Sequence, residues 1–160
     1  MKKKLFNVFF PVLLLIATIT LTACSIKKPE VFRVQSVYVD SITTVCKTEC
    51  DLSDVDVSSG NGNCSTSYKY SAVANNNGKK DAKTYYDYLK ASKLCAYIEP
   101  FDEKKGFYTA YILGKVEGNK VSGFTMKISF TSDSYTVTMT DNLIPDNIPN
   151  YNISSNAAIN

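Results

Sequence analysis

In residues 120–131 the side chains keep a strict order: Phe124, Met126, Ile128 and Phe130 are separated by Thr125, Lys127 and Ser129. Period-two alternation of this kind marks a strand with one face buried and the other wet. The same period runs through Tyr135, Val137 and Met139, set against Thr136, Thr138 and Thr140. Upstream, 94–99 reads as a short strand. Residues 107–116, FYTAYILGKV, read as a strand apolar on both faces and therefore central. The connections are short: a charged turn over 100–106, Glu117-Gly118-Asn119, and Ser132-Asp133-Ser134. Short connections make successive strands antiparallel neighbours. The chain must therefore build a sheet with one oily face, and something must cover that face.

The nearest cover is the segment 81–93, predicted to be a helix. Ala82, Tyr85, Tyr86 and Leu89 recur at helical spacing and form one apolar face. Asp81 stands at the positive end of the helix dipole, Lys90 and Lys93 at the negative end. Residues 31–46 are rich in Val, Ile and Thr, which predicts a strand breaking near Asp40. Residues 64–74 predict a second strand, with Tyr68 and Tyr70 on one face. Between them, 47–63 is polar and ends in Gly60-Asn61-Gly62-Asn63, a loop signature. The fold class expected is α+β: one helix packed on an antiparallel β-meander, after an N-terminal strand pair.

From Asp81 to Asp141 the chain runs as a helix, then a meander ending in a Tyr/Thr-rich strand. This pattern resembles a TBP-like domain of unknown function found in small exported bacterial proteins. The resemblance implies a fold and no catalytic residues. Small lipoproteins that inhibit lysozyme carry a Ser-Gly-x-x-Tyr loop. Here Ser122-Gly123 is followed by Phe124, Thr125 and Met126, lacks the tyrosine, and falls inside a predicted strand.

The N-terminus speaks of address. Lys2, Lys3 and Lys4 precede an uncharged apolar run from Leu5 to Thr20, followed by Leu21-Thr22-Ala23-Cys24. This resembles the lipobox of bacterial lipoproteins. The resemblance implies a diacylglyceryl thioether on the Cys24 sulfur, cleavage between Ala23 and Cys24, and acylation of the freed amine, as with palmitate. Two or three acyl chains give stable anchoring where one gives only marginal binding. The organisation expected is a signal peptide over 1–23, a tether over 24–30, one disulfide-bonded domain over 31–141, and a flexible tail over 142–160. Ser25, in place of the aspartate that retains enteric lipoproteins in the inner membrane, points to the outer membrane.

Cleavage of 23 residues from 160 leaves 137, enough for a single core. It also removes three of the 18 basic residues, leaving 15 against 15 acidic ones. With Arg33 as the sole arginine and no net charge, nucleic acid is a poor partner. The absence of histidine removes the commonest general base and excludes Ser–His–Asp and Cys–His sites.

Cys46, Cys50, Cys64 and Cys95 remain after Cys24, an even number that reads as two disulfides in an exported chain. Three connectivities are open; the favoured one pairs Cys50 with Cys64 and Cys46 with Cys95. The spacing lacks the second tight pair of a zinc site. Asp51, Asp54 and Asp56 lack the glycine and glutamate of a calcium loop, with Ser59 and Ser65 in those places. No metal and no cofactor are expected.

Tyr85, Tyr86 and Tyr88 are candidates for a sugar platform or a partner surface, with core packing as the competing role. For carboxylate catalysis the candidates are Glu99, Asp102, Glu103 and Glu117, all in or beside turns. The function expected is that of a membrane-anchored envelope lipoprotein acting as a non-catalytic binding or assembly module, with another envelope protein as partner. The alternative is an inhibitor of a wall-degrading enzyme or a wall-glycan binder.

Overall fold

A computed structural model describes residues 27–60, 62–117, 120–141 and 148. The alternation read above is laid down in it as register. Strand β7 spans Lys120–Phe130 and strand β8 spans Tyr135–Thr140, counting strands in chain order. Met126 lies opposite Met139, Ile128 opposite Val137, and Phe130 opposite Tyr135. All six are buried.

The remaining elements precede them. Strands β1 (Val31–Val34) and β2 (Val37–Asp40) form a small hairpin, followed by helix α1 (Ile42–Cys46). Strands β3 (Asp51–Gly60) and β4 (Asn63–Ser71) form a long hairpin. A 3-10 turn at Ala74–Asn76 leads into helix α2 (Gly78–Ala91), then β5 (Cys95–Ile98) and β6 (Phe107–Glu117). The large sheet has the order β3-β4-β8-β7-β6-β5 and is antiparallel throughout. The α+β class stands: one main helix on an antiparallel sheet, with a separate strand pair at the N-terminal end.

The cover is shared. Helix α2 supplies Ala82, Tyr85, Tyr86 and Leu89, the face its spacing predicts, and all four are buried. The β1–β2 hairpin and α1 supply Phe32, Val37, Val39 and Ile42. Phe32 bridges the layers, 5.3 Å from the Tyr68 ring of the sheet and 6.5 Å from the Tyr85 ring of the helix. Two of the Tyr hydroxyls that enter this core find backbone acceptors. Tyr85 donates to the Asp40 carbonyl at 2.9 Å and Tyr108 to the Ala82 carbonyl at 3.0 Å.

Three expectations need correction. Residues 31–46 are not one strand but a hairpin and a short helix. The chain reverses at Gln35, which has a positive φ of 54°, and Ser41 then caps α1 by accepting the Thr44 amide at 3.2 Å. Residues 47–63 are not chiefly a loop. Val55 and Val57 lie opposite Tyr68 and Thr66, so pairing with β4 makes a strand of a stretch poor in strand formers. Strand β6 is interior but off-centre; it lies between β7 and the edge strand β5, and the middle pair of the six is β8 and β7. The tail expected over 142–160 lies outside the described residues except for Ile148, whose side chain is buried.

Helix α2 begins three residues before the predicted start because its first turn is pinned to the β7–β8 turn. The Gly78 amide donates to the Ser132 carbonyl at 2.8 Å. A Cβ at Gly78 would sit 2.5 Å from the Thr131 carbonyl oxygen and 2.9 Å from that of Ser132, both backbone atoms. Helix propensity alone favours alanine over glycine by about 1 kcal/mol. Packing reverses the sign: Gly78→Ala is expected to destabilise the domain by about 1–3 kcal/mol, read as a lower urea midpoint at unchanged m. A higher midpoint would mean the helix start is not seated on that turn.

Candidate functional site

The residues singled out from sequence fall in three places. Ala23 and Cys24 lie outside the described residues. The tyrosine trio belongs to the core: Tyr85 is fully buried, Tyr86 is 8% exposed, and only Tyr88 is half-exposed. Tyr88 stacks on Tyr85 at 5.7 Å between centroids and donates to the Asp40 carboxylate at 3.2 Å. These rings have packing partners and do not form an open platform.

The carboxylates serve their turns. Glu99 accepts the Thr109 amide at 3.1 Å and lies 3.6 Å from the Lys105 ammonium. Asp102 caps the next turn by accepting the Lys104 amide at 2.9 Å, and Glu103 pairs with Lys79 at 2.9 Å. The side chain of Glu117 is outside the described set. Asp51, Asp54 and Asp56 lie along β3 rather than in a loop. Asp54 pairs with Lys69 at 2.7 Å, and that hydrogen bond holds its carboxyl below the usual range. Among the described residues no three Cys, Asp or Glu side chains are grouped to hold a metal ion.

The four cysteines are thiols in this structure. Neither favoured pairing suits the topology. Cys64 lies opposite Ser59, whereas Cys50 adjoins Asp51, which lies opposite Ser71, so the two sit at opposite ends of the β3–β4 hairpin. The Cys46 sulfur contacts the Asp81 carbonyl at the start of α2, whereas Cys95 opens the strand after the helix ends.

Around the first turn of α2 a cluster of polar side chains converges at the edge of the core. The Cys46 thiol donates to the Asp81 carbonyl at 3.4 Å, and the Thr48 hydroxyl donates to Asp81 Oδ1 at 3.0 Å. The Cys50 sulfur and the Tyr135 hydroxyl are 3.3 Å apart, and the Tyr70 and Tyr135 rings 5.0 Å apart. Burial, with Asp81 and Cys50 nearby, pushes the Cys46 thiol up to about 12. Burial pushes Cys95 up to about 11. Both sulfurs are therefore protonated at neutral pH and poor nucleophiles. Asp81 Oδ2 and Tyr70 Oη are buried without a protein partner. Asp81 was legible only as a dipole charge. Yet its spacing of four from Tyr85 puts it on the buried stripe, and that signal was available.

The opposite face of the sheet is half-exposed and carries the surface that sequence reasoning missed. Three of its rows follow from register: Lys69–Thr136–Ser129–Phe107, Ser67–Thr138–Lys127–Thr109, and Ser65–Thr140–Thr125–Tyr111, the last continuing to Tyr97. Ser67 and Thr138 hydroxyls are 2.8 Å apart, and Thr140 donates to Ser65 at 3.3 Å. Tyr97 and Tyr111 rings lie 5.9 Å apart. The ammonium groups of Lys105 and Lys127 sit 4.4 Å and 4.5 Å from the Phe107 ring centroid. The signal was the two-faced apolarity of 107–116, which was taken for centrality. It reflects aromatic residues on a wet face.

Compared with protein-family models, with curated proteins and with solved structures, the chain finds no match.

Asp81 makes stability pH-dependent. Burial raises its carboxyl above the ordinary value of 3.8, against the lowering effect of the Thr48 hydrogen bond. The folded state then holds this proton more tightly than the unfolded chain. The resulting stabilisation is fully present below the unfolded value and is lost as pH rises through the folded one. The dipole of α2 acts in the opposite sense, by about 0.3–1 kcal/mol. Asp81→Asn should flatten this part of the stability–pH profile and raise the denaturation midpoint at pH 7 relative to wild type. A variant less stable at pH 7, with the slope unchanged, would mean Asp81 is anionic and well solvated.

Proposed function

We propose that the protein is a bacterial envelope lipoprotein, held to a membrane by acyl chains on Cys24, whose folded domain is a non-catalytic binding or assembly module. The observation that carries this is Leu21-Thr22-Ala23-Cys24 after a basic head and an apolar run. Among the described residues no helix is long and apolar enough to cross a membrane.

Geometry supports a close tether. The Lys28 ammonium bonds the Cys50 carbonyl, so the chain is already gripped four residues after Cys24. Four residues span at most about 14 Å. The end of the domain with the α1–β3 loop therefore lies near the bilayer. The ten-residue β3 leads away from it for roughly 30 Å. Partner contacts fall on the half-exposed sheet face, where Tyr97, Tyr111 and Phe107 are the large rings and Ser and Thr hydroxyls fill the rows between. The partner is another envelope protein, and Ser25 favours the outer membrane.

A second reading, wall glycan as ligand or a wall-degrading enzyme as target, draws on the same surface. A tyrosine pair beside rows of hydroxyls is the chemistry that stacks on and hydrogen-bonds sugar rings. Sedimentation with purified peptidoglycan and a lysozyme-activity assay test it; inertness in both removes it.

Cells fed a clickable fatty acid should label the wild-type protein and leave Cys24→Ala unlabelled, with the variant moving to the soluble fraction. A wild type without label, or a labelled variant, contradicts the anchor. Replacing Tyr97 and Tyr111 together by alanine should reduce crosslinked partner about tenfold or more while leaving the thermal midpoint within a few degrees. Full capture by that double variant would move the contact surface elsewhere.

A further inference from the structure

We infer that Cys46 and Cys50 form the one internal disulfide of the domain, leaving Cys64 and Cys95 unbridged. The topology decides this by distance. A bridge needs its two Cα atoms within about 7 Å. Cys64 is seven residues along β4 from Ser71, the partner of Asp51, so it stands roughly 23 Å from Cys50. Cys64 also accepts the Asp141 amide at the far end of β8 from Tyr135, which contacts Cys50. Between Cys64 on β4 and Cys95 on β5 lie β8, β7 and β6, about 19 Å of sheet. Ile112 and Phe124 fill that space, both fully buried. Cys46 touches the first turn of α2 and Cys95 follows its last. From Asp81 to Ala91 the helix rises about 15 Å. Cys50 adjoins Asp51 on β3, the edge strand opposite β5 with four strands between them, which excludes Cys95. Cys46 lies at most about 14 Å along the chain from Cys50, which leaves it beyond reach of Cys64, so the pair four residues apart remains.

Local geometry favours that pair. Lys47, with φ of 55°, ends α1 in the left-handed region, so the chain changes direction between the two cysteines. Thr48 in the middle of the turn is fastened to Asp81, and the sulfurs at its two ends contact Asp81 and Tyr135. Cys46, Cys50 and Asp81 all lie close enough to Tyr135 to raise its hydroxyl above the ordinary range, after burial itself. In the reaction each thiol gives up a proton and, between them, two electrons. The acceptor is a disulfide-bearing oxidant, which leaves as two thiols. The burial that lifts Cys46 makes it a slow nucleophile and a poor leaving group. The bond is therefore a durable staple and not an exchanging redox couple. The export reading enters only as the source of oxidant in the cell.

The test uses the full chain in detergent, oxidised with oxidised glutathione, alkylated under denaturing conditions without reduction, and cut with trypsin. Cleavage after Arg33, Lys47 and Lys69 puts Cys46 in fragment 34–47 and both Cys50 and Cys64 in fragment 48–69. The expected product is those two fragments joined, with one alkyl group on Cys64 and another on Cys95. The link should persist in Cys64→Ser and vanish in Cys46→Ser and Cys50→Ser. Alkylation of both Cys46 and Cys50 in the oxidised wild type overturns the inference, and so does a link that survives Cys50→Ser. Oxidation in the tube does not depend on acylation of Cys24, so this result and the fatty-acid labelling fail independently.

Discussion

Everything in the domain answers to the need to cover one oily face of a six-stranded sheet. That face carries Phe124, Met126, Ile128 and Phe130 from β7 and Tyr135, Val137 and Met139 from β8. Burying a large apolar side chain is worth about 1.5–3 kcal/mol, so leaving these seven wet would forfeit about 10–20 kcal/mol, as much as a domain's typical net stability of about 5–15 kcal/mol. One helix is too narrow for a sheet this wide. Helix α2 covers part of it, the β1–β2 hairpin and α1 cover more, and the edge strand β3 is left largely exposed. Gly114 records the closeness of that second layer, since any Cβ there would collide with Val37 of β2 and the Ser122 hydroxyl.

Tyrosine carries much of the layering, and burial keeps it neutral. Tyr85 and Tyr108 are pushed well above the ordinary tyrosine range by burial first. Their hydroxyls are spent on carbonyls of Asp40 and Ala82, which fasten the β2 end and the α2 start to the core. The rings that remain on the wet face of the sheet are few, and they sit together on β5 and β6. The division between packed and presented aromatics follows from strand parity, not from tyrosine clustering in sequence.

Legibility followed the period of the hydrophobic pattern. Strands β7 and β8 and the buried stripe of α2 were readable because each has one face in the core and a clear repeat. Strand β3 was not, because DLSDVDVSSG has no core face to speak of: Val57 is 69% exposed, and pairing with β4 holds the strand. The place of β4 beside β8 is a non-local pairing that no local pattern encodes. The hairpin in 31–46 was hidden because its turn uses Gln35-Ser36, with no glycine at the left-handed position. For the site, the proposed anchor rests on a resemblance at the N-terminus, outside the described residues. The sheet-face aromatics were visible as residues but not as a surface, since only register shows which of them share a side.

The functional account joins two ends of the chain: an acylated sulfur at Cys24 and a sheet face held close above a bilayer. Intact-mass spectrometry of the protein extracted from membranes tests the join most directly. The account predicts a polypeptide that begins at Cys24 and carries a diacylglyceryl group, with or without a further acyl chain on the amine. A polypeptide that retains residues 1–23, or one that begins elsewhere and carries no lipid, would contradict it.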